Sequence, residues 1–218
     1  DKQMNLDIQG VMKALAAQRK VFHSEADFQH AFAWELHLRQ PEASIRLEKP
    51  LRAASKSLHL DFLFEHAGKS VAVELKYKTR SLKLSMDGED FHLSSHSAQD
   101  LGRYDFIKDI CRLEEITSTI RDCEGWAIML TNDTAYWKTP QNTGTVDAAF
   151  RLTEGRILSG NLAWTDQASA GTKKNRERDL SVIGQYTLTW DDYSTVSSPS
   201  YSDFRYLAVK IPAAREAS

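Results

Sequence analysis

The sequence predicts an α/β fold, a mixed β-sheet flanked by helices, with a β-rich C-terminal extension. Three observations carry this. Two neighbouring segments, Leu58 to Glu65 and Ser70 to Tyr77, alternate with a period of two. The next long segment, Ser97 to Ile120, has helical spacing at Leu101, Ile107, Ile110, Leu113 and Ile116. A short apolar run, Trp126 to Thr131, then follows, so that strand, helix and strand can form a right-handed parallel crossover.

The remaining elements follow in order. Asn5 to Arg19 places Leu6, Val11, Met12 and Leu15 as in an amphipathic helix. Ser24 stands as the cap of a second helix, which runs to about His37 and sets Phe28, Ala31, Phe32 and Leu36 on adjoining faces. Gln40-Pro41 ends it. Ser44 to Leu51 alternates Ile45 and Leu47 with Arg46 and Glu48, the first of three strands, and His66-Ala67-Gly68-Lys69 is a tight turn between the second and third. Asp87-Gly88 marks another hairpin. Beyond Asn132 the pattern weakens. Ala148 to Ile157 reads as a hairpin about Glu154-Gly155, and Ala168 to Arg178 as a polar loop whose basic residues include Lys173, Lys174 and Arg176. Val182 to Trp190 and Phe204 to Ile211 read as strands joined by a Ser-rich loop, Asp191 to Ser202. Residues 1–133 thus hold the helices and the main sheet, and residues 134–218 form the β-rich extension packed on the same domain.

A chain of 218 residues with 41% hydrophobic and 27% charged residues can bury a core without disulfides. Cys111 and Cys123 lack metal-ligand spacing and read as reduced thiols, which suits a cytoplasmic protein. No apolar run is long enough for a membrane helix, no signal-peptide pattern opens the sequence, and no membrane partner is expected. The formal net charge of −2 excludes attraction to nucleic acid by the overall field. Such binding would need a local basic patch or a bound cation. Neither a Walker-type phosphate loop nor a G-x-S-x-G elbow is present, and the seven histidines do not cluster at zinc-ligand spacing.

The hairpin carries the chemistry. With its turn centred between Ala67 and Gly68, Asp61 lies opposite Glu74, their β-carbons about 5 Å apart on one face. Lys76 shares that face, and Leu60, Phe62, Phe64, Val71, Val73 and Leu75 point the other way. Two facing carboxylates repel unless something neutralises them. Their oxygens suit Mg²⁺, with Mn²⁺ as a substitute, better than zinc. A lysine beside such an ion can orient a water, help to deprotonate it, or stabilise a phosphorane-like transition state. The bland alternative is a solvated strand face with an incidental Glu–Lys pattern.

Asp61 followed by Glu74-Leu75-Lys76, within an αβββαβ order from Ser24 to Thr131, resembles the PD-(D/E)xK nuclease superfamily, the restriction endonuclease-like fold. The resemblance covers about half of the chain. It implies a metal-dependent nuclease in which Asp61, Glu74 and the Leu75 carbonyl hold the ion, Lys76 assists the attacking water, and Glu35 on the preceding helix adds a carboxylate. It further implies that the helix after the second motif meets the substrate, here through Gln99, Arg103 and Tyr104. DNA is the expected partner ahead of RNA, and a homodimer is admitted. The proline that often precedes the first acid is replaced by Leu60, and Gln99 and Tyr104 do not fit the Q-x-x-x-Y spacing of the exonuclease branch. From their position just beyond the motif, Lys78, Arg80 and Lys83 are also placed to meet a nucleic-acid backbone. The plainer reading of Arg103 is a surface pair with Asp100, that of Tyr104 partial core burial, and Asp109 with Arg112 reads as a helix-surface pair. A non-catalytic nucleic-acid-binding or scaffold protein that retains the nuclease fold is the rival expectation.

Overall fold

The computed structural model describes residues 6–53 and 56–214. Two helices, α1 (Ile8–Gln18) and α2 (Glu25–Arg39), lead into a meander of β1 (Ser44–Ala53), β2 (Lys56–His66) and β3 (Lys69–Lys78). A small hairpin, β4 (Leu82–Met86) and β5 (Glu89–Leu93), precedes the long helix α3 (Gln99–Thr119) and strand β6 (Cys123–Thr131). The extension supplies β7 (Ile157–Leu162), the single-turn helix α4 (Ala170–Lys173), β8 (Leu180–Thr187), β9 (Trp190–Thr195) and β10 (Asp203–Ile211). The central sheet is mixed and six-stranded, in the order β1-β2-β3-β6-β10-β9. β3 and β6 are parallel and the other neighbours antiparallel. Among the described residues no helix is long and apolar enough to cross a membrane.

The local signals act as their chemistry requires. Ser24 Oγ accepts the Asp27 N–H at 3.2 Å and starts α2. The β2–β3 turn places Ala67 at φ +49° and Gly68 at +78°, and the β4–β5 turn places Asp87 at +54° and Gly88 at +82°. Both are two-residue loops with two left-handed residues, the geometry that matches the strand twist. It fixes the β2–β3 register at Phe62 opposite Val73 and Phe64 opposite Val71.

The sheet separates two apolar layers. On one face Phe62, Phe64, Val71, Val73 and Leu75 pack with Phe28, Phe32 and Leu36 of α2. On the other, Leu63, Ala72, Ala127 and Met129 pack under Ile107, Ile110 and Leu113 of α3. Leu60, expected beside Phe62, lies instead in the α3-side layer. The β1–β2 ladder skips the Glu48–Asp61 pair, and Glu48 has φ +49°, so the alternation of β2 changes phase there.

The C-terminal part departs furthest from expectation. β9 and β10 are strands of the central sheet, so the division at 133/134 falls within one sheet. Asp191 to Thr195, expected in a loop, is part of β9, where the Tyr193 hydroxyl donates to the Arg19 carbonyl at 2.6 Å. Ala148 to Ile157 is no hairpin. It holds a 3₁₀ turn at Ala148–Phe150 and a bend at Gly155. The basic loop is pinned, because the Arg176 guanidinium donates to both Asp105 oxygens, at 2.7 and 2.8 Å.

Ala67 in the left-handed region carries a steric cost that glycine avoids. We expect Ala67→Gly to stabilise the protein by about 0.5–1 kcal/mol, measured by urea unfolding, without loss of the β2–β3 register.

Candidate active site

The site begins where β2 leaves β3. Their ladder ends at Phe62 and Val73, while β2 stays paired with β1. Asp61 and Glu74, next in register, do not face each other across a ladder. Asp61 Oδ2 instead accepts the Leu75 N–H at 2.8 Å. One step along, Glu25 Oε2 accepts the Tyr77 N–H, also at 2.8 Å. Within an extended strand a residue's N–H and C=O point to the same side. The Leu75 carbonyl therefore faces the same opening as its N–H.

Glu74 and Lys76 project toward α3, which closes over them. Glu74 is only 2% exposed. Lys76 Nζ lies 3.0 Å from Asp109 Oδ2, and Arg112 lies 3.0 Å from Glu74 Oε1 and 3.2 Å from Asp109 Oδ1. Arg112 also donates to the His59 carbonyl. The close approaches at Glu74 Oε1 and Asp109 Oδ2 lack hydrogen-bond geometry, so both oxygens are buried without a hydrogen-bond partner. We read these contacts as charge neutralisation rather than as formed bonds.

The electrostatics follow from burial. Desolvation first, then Asp109 and Asp61, push the Glu74 carboxyl up to about 9, against Arg112 and Lys76. Desolvation also raises Asp109, with Lys76 and Arg112 opposing. Glu74 and Asp109 thus titrate together, and at neutral pH the pair retains a proton. For Lys76, desolvation favours the neutral amine, but Asp109 beside it outweighs this and holds its pKa above the ordinary lysine range. Lys76 is a fixed cation.

Asp61, Glu74, Lys76 and the Leu75 backbone lie near one another, but not through the direct Asp61–Glu74 pairing that the hairpin register predicts, because the ladder ends at Phe62 and Val73. Glu35 does not join them. It is buried on α2 and accepts from Arg39 Nε at 2.7 Å, on the side where Arg39 reaches the Gly10 carbonyl of α1. Arg103 is also unavailable to substrate. Its guanidinium is buried 2.5 Å from Asp147, not Asp100, and donates to the Ala135 carbonyl. Tyr104 lies in the core, stacked on Trp164, with its hydroxyl donating to the Arg178 carbonyl. Gln99 is held by Asp133. Lys78 and Arg80 are half-buried at the end of β3, where Arg80 packs over Tyr201 at 5.0 Å.

Three residues escaped the sequence reading. Glu25 is the helix carboxylate that meets β3. A first-turn glutamate looks like ordinary dipole compensation in sequence. Asp109 and Arg112 look like a surface pair at i,i+3, yet Asp109 lies between Phe106 and Leu113 on the inward face of α3. That face carried the only signal.

Compared with protein-family models, curated proteins and solved structures, the chain matches none. Among the described residues no group of three or more His, Cys, Asp or Glu side chains is gathered as a ready cation cage.

The raised Glu74 pKa gives a pH test. The folded protein holds a proton between about 4.5 and 9 that the unfolded chain releases. Glu74 therefore lowers stability progressively as pH rises through that window. Glu74→Gln should stabilise the fold by about 2 kcal/mol at pH 8 and change it little near pH 4.5. Urea unfolding of both proteins at each pH measures the difference.

Proposed function

We propose that the chain is an Mg²⁺-dependent endonuclease that hydrolyses phosphodiester bonds of DNA, in restriction, defence or repair. The observation that carries this reading is the opening between β2 and β3. It gathers Asp61, Glu74, the Leu75 carbonyl and the Lys76 cation, with Glu74 Oε1 buried, without a hydrogen bond and neutralised only by Arg112 at 3.0 Å. The restriction endonuclease-like form of the fold belongs to the same proposal. Its support is the order α2, β1–β2–β3, α3, β6, with β6 parallel to β3.

The donor set fits the ion. Asp61, Glu74 and the Leu75 carbonyl are hard oxygen ligands, and Mg²⁺ keeps several waters, so a cage of three carboxylates is not required. Binding the ion would release the proton that Glu74 and Asp109 share, after which the three carboxylates Asp61, Glu74 and Asp109 outnumber the cations Lys76 and Arg112. When bound, Mg²⁺ supplies Lewis acidity toward a phosphoryl oxygen and lowers the pKa of a water. Lys76, permanently protonated, acts as a hydrogen-bond donor to a water or a phosphoryl oxygen and not as a base. Asp109 positions that ammonium at 3.0 Å. Glu25 takes the place that the sequence reading gave to Glu35. The non-catalytic reading has one observation in its favour: Arg112 and Lys76 already neutralise Glu74 and Asp109 from within the chain.

Plasmid DNA incubated with wild type and Mg²⁺ or Mn²⁺ should be nicked or linearised, and Lys76→Ala should lose about 100-fold in rate. Equal background in both proteins overturns the nuclease reading. Calorimetry separates its rival. Mn²⁺ should give a binding heat with wild type that Glu74→Ala abolishes, whereas no heat with either supports the binding protein.

A further inference from the structure

A second cavity opens at the C-terminal end of β3, one strand step beyond Lys76. Its volume is about 410 Å³, and its walls come from the start of α2, the end of β3 and the segment after β5. That volume lies within the range of small-molecule sites. It suits a whole nucleotide unit rather than a lone ion.

The lining is built for an anion. Lys78 and the imidazoles of His92 and His96 face it, with the hydroxyl-bearing Thr79 and Ser94 between them. His96 is held in one tautomer. Its Nδ1 accepts the Thr79 N–H at 3.0 Å, while Thr79 Oγ1 donates to the Ser94 carbonyl at 2.7 Å. The backbone N–H of His96 donates to the Thr79 carbonyl at 2.7 Å and holds the two segments together. With Nδ1 occupied as an acceptor, the ring carries its proton on Nε2, a neutral donor in a fixed position. Burial and then Lys78 hold the His96 pKa below the ordinary histidine range, and Glu25 pulls the other way. The one carboxylate in the wall, Glu25, already accepts the Tyr77 N–H. His23, on the rim, stacks on Phe91 and contacts Glu89 at 2.6 Å.

Position identifies the anion. Lys76 and Lys78 are two residues apart on one strand, about 6.6 Å along it. That separation is comparable to the spacing of successive phosphates in a nucleic-acid strand. We infer that this cavity binds the nucleotide next to the bond being cut, with its phosphate on Lys78 and His96. The inference rests on the nuclease reading for the identity of the strand, and the cavity lies outside the Asp61–Glu74–Lys76 constellation.

Two measurements test it. In the first, a short fluorescein-labelled single-stranded DNA is titrated with metal-free protein in EDTA, so that cleavage plays no part. Lys78→Gln and His96→Asn should each weaken binding about tenfold, and Lys78→Gln should reduce the slope of log affinity against log salt by about one. Asparagine can keep the acceptor for the Thr79 N–H, and an unchanged melting temperature shows that His96→Asn remains folded. In the second, thymidine 5′-monophosphate is titrated while the His96 ring resonances are followed. They should shift at constant pH 8, because the neutral Nε2–H donates to the bound phosphate while Nδ1 keeps the Thr79 N–H. The inference is overturned if wild type does not bind the DNA, if both variants bind as wild type does, or if the His96 signals stay still. Cleavage by wild type with unchanged binding in the variants would sink this site and leave the nuclease reading standing. Variant-sensitive binding without any cleavage would do the reverse.

Discussion

Two backbone N–H groups of β3, those of Leu75 and Tyr77, face an opening where no strand lies beside them. Buried amides must be bonded, and here two carboxylates from distant parts of the chain do it: Asp61 from β2 and Glu25 from the first turn of α2. Had β2 continued past Phe62 along β3, it would have supplied those acceptors and closed the opening. The break in β2 at Asp61, across from the left-handed Glu48, keeps the strand with β1 and away from β3. The same bonds seat α2 against the end of β3 and hold both acids beside Lys76. The rest of the site depends on this local failure of strand pairing.

The second constraint is charge. Closing α3 over the sheet buries Glu74 and Asp109 together, an arrangement that two like charges cannot sustain alone. The chain answers with Lys76 and Arg112, which place positive charge within 3.2 Å of each acid. Neutralisation remains incomplete, because a proton stays with the pair and two oxygens lack hydrogen bonds. In the metal-site reading proposed above, a divalent cation would compete with Arg112 for the same negative charge.

Much of this was legible in the sequence, for identifiable reasons. Period-two alternation and the Ala67-Gly68 turn define a hairpin whose register is local, so the pairing from His66–Lys69 to Phe62–Val73 follows from spacing, but its end before Asp61 and Glu74 does not. The phase change at Leu60 was not legible, because it depends on a backbone conformation at Glu48 in a different strand. Glu35 and Glu25 both lie on α2, and choosing between them requires knowing which end of the helix meets β3. Asp109 and Arg112 were hidden by a general ambiguity. An i,i+3 charge pair reads as solvated helix surface until the face it lies on is known to be covered. In the extension, Asp191 to Thr195 has too many small polar residues to announce a strand. It becomes one because β10 offers it an edge.

These features converge on the arrangement of β3 itself. Its odd positions, Val71, Val73, Leu75 and Tyr77, are all buried in the layer beneath α2 and fix the strand in place. Its even positions, Glu74, Lys76 and Lys78, run in the other direction and pass from a buried acid, through a fixed cation, to a half-buried cation at a cavity. The backbone of the odd residues is not passive, since Leu75 and Tyr77 anchor the two carboxylates that flank the opening. A strand rises about 3.3 Å per residue, so charge is presented at regular steps along a line, the geometry needed to follow a polymer whose own charges repeat regularly. A small-molecule site would need such groups to converge on a point. Within the proposed nuclease reading, their linear order is the physical reason to favour a nucleic-acid strand over a compact phosphoester.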